Sequence, residues 1–252
     1  MALDELLLER AEREGGAPVL RLYSFDPPAI TIGAHQDPIE ILDVARVHSD
    51  GIDCVRRITG GRALLHEGEL TYCLVAPTGA AGFGRGRAET FMRISGALRA
   101  ALRSLGAGAE VSRGRETPRP HGAAPPCLSS VTRAELTVGG KKIAGSAQRR
   151  TAAAVLQHGS ILARPGSSRI VKYLRGSWGS LEARVTSVEC EIGRPVGDGE
   201  LRTAIVRAFS EVFGVEWAPL ELSDGEGAAV AERAANKRRE IAECLAGEVS
   251  SP

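Results

Sequence analysis

Aromatic residues are scarce in this 252-residue chain, at 4%, and with them goes the stacking platform that usually holds single-stranded nucleic acid. Charge of one sign is lacking too. The 32 basic and 31 acidic residues leave a net charge of +1, which gives no general attraction to a phosphate backbone. No nucleic-acid partner is expected. No apolar run approaches the length that spans a bilayer. The acidic start Met1-Ala2-Leu3-Asp4-Glu5 has no basic segment ahead of an apolar core, so neither a membrane association nor a signal peptide is expected. The five cysteines, Cys54, Cys73, Cys127, Cys190 and Cys244, are odd in number and scattered. With no CxxC pair and no Cys/His cluster at zinc-ligand spacing, neither a disulfide framework nor a metal site is expected. A reduced, cytoplasmic setting fits these absences, and a chain of this size buries a substantial core without a staple.

Hydrophobic periodicity supplies the elements. Residues 4–13 read as a short amphipathic helix stopped at Gly15-Gly16, followed by strands at 19–24 and 29–33 with Pro27-Pro28 between them. A short helix is expected over 41–48, a strand over 54–57 and a buried strand over 70–76. A helix from 88 to 105 places Phe91, Ile94, Leu98, Leu102 and Leu105 along one face. Residues 106–126, rich in Gly, Ala, Pro and Arg, read as a surface loop with a strand at 110–112. Strands at 134–138 and up to 162, and a helix over 200–213 capped by Gly214, complete the main body. These predict an α+β fold of mixed or antiparallel sheets layered with helices, a catalytic domain over 1–215, and a charged tail over 216–252 with an exposed helix at 231–245.

The densest chemistry lies in Arg56-Arg57-Ile58-Thr59-Gly60-Gly61-Arg62-Ala63-Leu64-Leu65-His66. Paired glycines admit a ligand to the backbone, and arginine offers a planar fork for phosphate or carboxylate. Standing alone, the stretch reads first as a hairpin turn with solvated arginines. Two further segments give it company: Gly140-Lys-Lys-Ile-Ala-Gly-Ser-Ala-Gln148 and Leu156-Gln-His-Gly-Ser-Ile161. Lys142, with glycines on both sides, fits a point charge or proton shuttle for an acyl group. Gly145, Ser146 and Ala147 offer small residues and free amides for an oxyanion. His158-Gly159 is either a further donor or a satisfied core histidine beside a glycine, and His66 stands open to the same two readings. Lys141 reads as solvent-facing.

Together the three segments, with Glu69-Leu70-Thr71-Tyr72 and Pro27-Pro28-Ala29-Ile30-Thr31-Ile32-Gly33, resemble the biotin/lipoate protein ligase and octanoyltransferase superfamily over roughly residues 1–215. The resemblance implies one acyl-binding cleft walled by Arg57, Gly60, Gly61, Arg62, His66, Gly145, Ser146, Ala147, His158 and Gly159. It is most like the branch that moves octanoyl from acyl carrier protein to the lysine of a lipoyl domain, on the glycine cleavage H protein or a 2-oxoacid dehydrogenase subunit. That branch implies a Cys127/Lys142 dyad, a thioester intermediate and no cofactor; a thiolate beside an ammonium attacks thioesters well. Cys127 follows Pro125-Pro126, although Leu128 replaces the aromatic usual after this cysteine. Cys54 and Cys73 read as core residues, Cys190 matches the other transferase pattern poorly, and Cys244 falls on the tail helix. The arginines of the Gly-Gly loop and Arg113, Arg115 and Arg119 suit an acidic carrier protein. The alternative is an ATP-dependent lipoate–protein ligase, with Arg57 and its loop on phosphates and with Mg2+. A non-catalytic relay of the same fold and a biotin ligase are more distant readings.

Overall fold

The computed structural model of the chain describes residues 1–112, 134–176 and 181–249. Two sheets carry the architecture. The larger has six strands in the order β1-β5-β9-β8-β7-β6 (Val19–Tyr23, Leu70–Pro77, Ala154–Ile161, Lys141–Arg150, Leu136–Val138, Glu110–Val111), every pair antiparallel. The smaller is β3-β2-β4 (Asp53–Arg56, Ala29–Ile32, Leu64–His66), in which β2 and β3 run parallel and β2 and β4 antiparallel. The expected α+β fold of mixed and antiparallel sheets is what forms.

Strand β5 shows why the large sheet sits at the centre. All but its last residue is buried, as an unbroken apolar run demands when both faces are covered. One face packs on α4 (Arg87–Ser104) and α6 (Asp198–Phe213), joining Tyr72 and Leu74 to Ile94, Leu98, Leu102, Ile205 and Phe209. The other meets α1 (Ala2–Glu14) through Leu7, Leu8, Ala11, Cys73, Val75 and Leu156. The apolar stripe of α4 is Ile94, Ala97, Leu98, Ala101 and Leu102, with Phe91 only half-buried at its margin. Gly214 closes α6 in the left-handed conformation, φ 66°.

The single helix expected over 41–48 is two, α2 (Pro38–Ile41) and α3 (Val44–Ser49). Asp37 and Asp43 each accept a bond from a following backbone N–H, at 2.9 and 3.1 Å. Two N-caps so close start two helices rather than one. These helices form the crossover that lets β2 and β3 lie parallel. The tail helix, α7, runs over Asp224–Val249 and is less exposed than its composition suggests, since Ile241 is 1% exposed. Ion pairs join Lys237 to Glu5, Arg233 to Glu9 and Arg56 to Glu240, and Lys237 donates to the Arg56 carbonyl. Among the described residues no helix is long and apolar enough to cross a membrane.

Candidate active site

A cleft opens where the two sheets face each other. Its lining includes Arg57, Gly61 and His66 from the small-sheet side, and Gly145, Ser146, Ala147, His158 and Gly159 from β8 and β9, with Thr31, Leu64, Thr71 and Ser160 between them. The three motif segments, remote in sequence, therefore converge. Gly60 and Arg62 lie on the same loop behind Gly61, and the carbonyls of both accept from Arg57 Nη2, at 3.3 and 3.1 Å.

Arg57 is the staple of that loop. The residue is 7% exposed and its Nη1 donates to the Thr31 carbonyl at 3.0 Å and to Thr31 Oγ1 at 2.7 Å. The loop lies against the end of β2, where a Cβ on Gly33 would stand 2.1 Å from the Gly61 carbonyl oxygen. Gly61 itself has φ 104°, in the region glycine enters freely. The pair of glycines thus serves a close backbone-to-backbone approach.

Both histidines are buried and bonded at each nitrogen. His66 Nε2 meets Thr31 Oγ1 at 2.7 Å, and its Nδ1 meets Glu69 Oε1, which also accepts from Thr71. His158 Nε2 meets Thr59 Oγ1 at 2.7 Å and its Nδ1 meets Asp4 Oδ2 at 3.3 Å. Each ring lines the cleft and is held between a carboxylate and a threonine hydroxyl. Burial lowers the pKa of His158 despite the hydrogen bond from Nδ1 to Asp4, which acts the other way. Burial of Asp4 would raise its carboxyl, yet the His158 bond and nearby positive charges, Arg21 among them, hold it well below the usual range. Asp4 is 1% exposed and takes Arg21 Nη1 at 2.5 Å and the Tyr23 hydroxyl at 2.8 Å.

Across the sheet Tyr72, Gly159 and Ser146 occupy one row of β5, β9 and β8. A Cβ at Gly159 would lie 2.8 Å from Ser146 Oγ and 2.9 Å from Tyr72 Cε1. Its absence lets the two hydroxyls meet at 2.6 Å. Gln148 Nε2 donates to Gln157 Oε1 and Gln157 Nε2 donates to the Tyr72 oxygen, each at 3.0 Å, so the Tyr72 proton goes to Ser146. Burial raises the Tyr72 hydroxyl to about 12, which keeps that proton in place at neutral pH.

Lys142 is 0% exposed, and its Nζ donates to Glu135 Oε1 at 2.5 Å. How β8 turns it inward is visible in the pairing. Leu136 faces Ala144 but Thr137 faces Lys142, so Ile143 is an extra residue and the strand bulges there. In a regular strand Lys142 and Gly145, three apart, point to opposite faces. With the bulge they share one: a Cβ on Gly145 would lie 3.0 Å from Lys142 Cε and 3.2 Å from Nζ. The ammonium is therefore lodged behind the glycine that walls the cleft. Lys141 is exposed, as expected. Cys127, with Arg113, Arg115 and Arg119, lies outside the described residues. Cys54 and Cys73 are buried and burial raises both thiols, Cys54 to about 12 and Cys73 well above its usual value, so neither is a ready nucleophile.

Glu135 and Asp4 were given no place in the site at the level of sequence, and Glu69, Thr31 and Thr59 were quoted within motifs but given no role. Two left a signal. Glu135 and Thr137 alternate with apolar residues in Ala134-Glu-Leu-Thr-Val138, and Asp4 stands on the same helical stripe as Leu7, Leu8 and Ala11. An acid on an apolar face is buried with a partner or it is not buried.

Comparison with known proteins agrees with this geometry. The chain matches the Lipoyl protein ligase A/B catalytic domain over residues 1–210. It is 35% identical to a protein of Moorella thermoacetica named Octanoyltransferase LipM, over 90% of this chain and 86% of that one. A protein of the same name from Exiguobacterium sibiricum is 31% identical over 95% of this chain and 91% of its own. Among solved structures, a lipoate-protein ligase A bound with ATP superposes with a TM-score of 0.76 at 26% identity, covering 92% of this chain and 86% of that chain. With the cleft, its two stapled histidines and its inward lysine all falling inside the matched stretch, the chain belongs to the lipoyl protein ligase A/B catalytic domain family.

Proposed function

We propose that this protein is an octanoyltransferase of lipoate biosynthesis, which takes octanoyl from acyl carrier protein as a thioester on Cys127 and passes it to the lysine of a lipoyl domain. The relatives named Octanoyltransferase LipM support the transfer of octanoyl. The observation that carries the mechanism is the buried ammonium of Lys142, lodged behind Gly145 on the cleft wall. A fixed positive charge there favours a thiolate over a thiol and steadies the oxyanion formed when a thioester carbonyl is attacked.

The steps balance without ATP. The Cys127 thiolate adds to the donor carbonyl, and the donor sulfur leaves as its thiolate. The neutral amine of the acceptor lysine then adds to the new thioester and expels the Cys127 sulfur, which takes up the amine's proton, leaving an amide and the Cys127 thiol. A thioester is higher in free energy than the amide it becomes, so the sequence runs forward unaided. No cofactor takes part in this reading, and Arg62, on the outer part of the Gly-Gly loop, faces the acidic carrier.

Mass spectrometry after mixing with octanoyl carrier protein, with no nucleotide present, tests this. The expected result is one octanoyl group on Cys127 that hydroxylamine removes and a lipoyl domain discharges. Cys127→Ala then neither loads nor transfers. Transfer of free lipoate or octanoate that needs ATP and survives Cys127→Ala establishes the ligase reading instead.

A further inference from the structure

We propose that Glu135 is a positioning residue for Lys142: its carboxylate supplies the counter-charge for an ammonium sealed from water, and it fixes the direction in which that ammonium points. The proposal rests on the acyl-transfer reading above and concerns the lysine of that same site. Glu135 is 7% exposed and Lys142 0%, and their charged atoms are 2.5 Å apart. Glu135 stands at the entry to β7, the strand whose Thr137 faces Lys142 across the ladder. Carboxylate and ammonium thus come from neighbouring strands locked in register by the same bulge that aims the lysine.

A role in packing alone is a poor explanation of this pair. Taking two charges out of water costs more than their attraction returns unless geometry is very good, and apolar residues of equal volume fill such a space at less cost. Three separate features instead converge on one ammonium: an extra residue in β8, a glycine at 145 and an acid at 135. Each is costly or neutral for stability. All three are needed if the charge is to stand at the cleft wall. Without the carboxylate, the counter-charge 2.5 Å from Nζ is gone from a place where Lys142 is 0% exposed, and nothing from β7 fixes its direction. Glu135 makes and breaks no bond during transfer, and the proton stays on Nζ.

The test compares Glu135→Gln, which keeps the shape and drops the charge, with Glu135→Asp, which keeps the charge on a shorter arm. Steady-state transfer is measured from octanoyl carrier protein to a lipoyl domain, with melting curves to show folding. In Glu135→Gln we expect kcat to fall about a hundredfold while KM for the donor stays within about twofold. Glu135→Asp, which moves the charge, is expected to recover kcat only in part, to about three- to tenfold below the wild type. A wild-type kcat in Glu135→Gln, a loss confined to KM, or equal losses in the two variants overturns the assignment. Should Glu135→Gln not fold, Glu135→Asp decides alone: a moderate loss in kcat at constant KM supports the proposal, and an unchanged kcat overturns it. The two levels separate cleanly, because a wild-type protein that accepts no octanoyl overturns the transfer reading, whereas failure of the Glu135 assignment leaves wild-type loading intact.

Discussion

The hydroxyl of Thr31 lies 2.7 Å from Nε2 of His66, whose Nδ1 meets Glu69 on the other side. Thr31 Oγ1 also accepts from Arg57 Nη1. A chain of bonds thus runs from Arg57 through Thr31 and His66 to Glu69. Thr31→Val keeps the shape and removes the hydroxyl, taking one bond from His66 Nε2 and one from Arg57 Nη1. The expected loss is about 2–3 kcal/mol, read as a lower denaturant midpoint at constant slope, with Thr31→Ser recovering most of it.

His158 makes stability depend on pH. In the unfolded chain a histidine takes up its proton near pH 6.5, whereas burial lowers the pKa of His158 in the fold. Below about 6.5 the unfolded chain therefore binds the extra proton, and stability falls as pH drops, by at most about 1.4 kcal/mol per pH unit. Asp4 acts in the same direction further down. Its carboxyl is held below its ordinary value, so its contribution is present above about pH 4 and is lost as the medium becomes more acidic. Urea midpoints from pH 8 to pH 4 are expected to slope less in His158→Gln than in the wild type. Parallel curves refute this.

Gly33→Ala is expected to displace the Gly-Gly loop. The new Cβ would meet the Gly61 carbonyl oxygen at 2.1 Å, which backbone on both sides cannot relieve. Arg57 then loses its bonds to Gly60 and Arg62, and the cost is of the order of 2–4 kcal/mol. Melting temperature reports the destabilisation, and transfer activity in the surviving folded fraction reports the damage to the cleft. A melting temperature equal to the wild type's counts against the close approach.

Lys142→Met is expected to abolish transfer and to destabilise the protein by about 3–5 kcal/mol, because Glu135 is left as a buried charge without its ammonium. Replacing both, as Glu135→Met with Lys142→Met, is expected to restore most of the stability and none of the activity. Chemical denaturation of the four proteins closes a double-mutant cycle. Additive losses would show that the two side chains do not act as a pair.

Much of this was readable beforehand because local and long-range demands agreed. The uninterrupted apolar run at 70–76 had to lie between two covered faces, and β5 does. The Gly-Lys-Lys string and His158-Gly159 meet because β8 pairs with β9, and the diglycine loop of the other sheet joins them across the cleft, with Thr59 bonded to His158. The partners that hold the site were harder to read. Arg57 and both histidines looked like groups for a ligand, yet their polar atoms bond Thr31, Glu69, Thr59 and Asp4, choices made by tertiary contact alone. The aim of Lys142 depends on one extra residue in a ladder, and pairing register is invisible in a single chain read by itself. Asp43 divided an expected helix because a cap competes with continuation, and only geometry decides which prevails.

Helix α7 lies wholly beyond residues 1–210, the stretch that the family's catalytic domain matches, but it grips both shores of the cleft. Through Glu5 it braces the helix that carries Asp4 to His158, and through Arg56 it braces the residue next to the Arg57 staple. Much of that grip is made by half-exposed ion pairs, which salt weakens. Trimming the chain to its recognisable part would leave α1 and β3 unbuttressed, so the smallest piece that keeps the cleft in shape is larger than the piece that names the family.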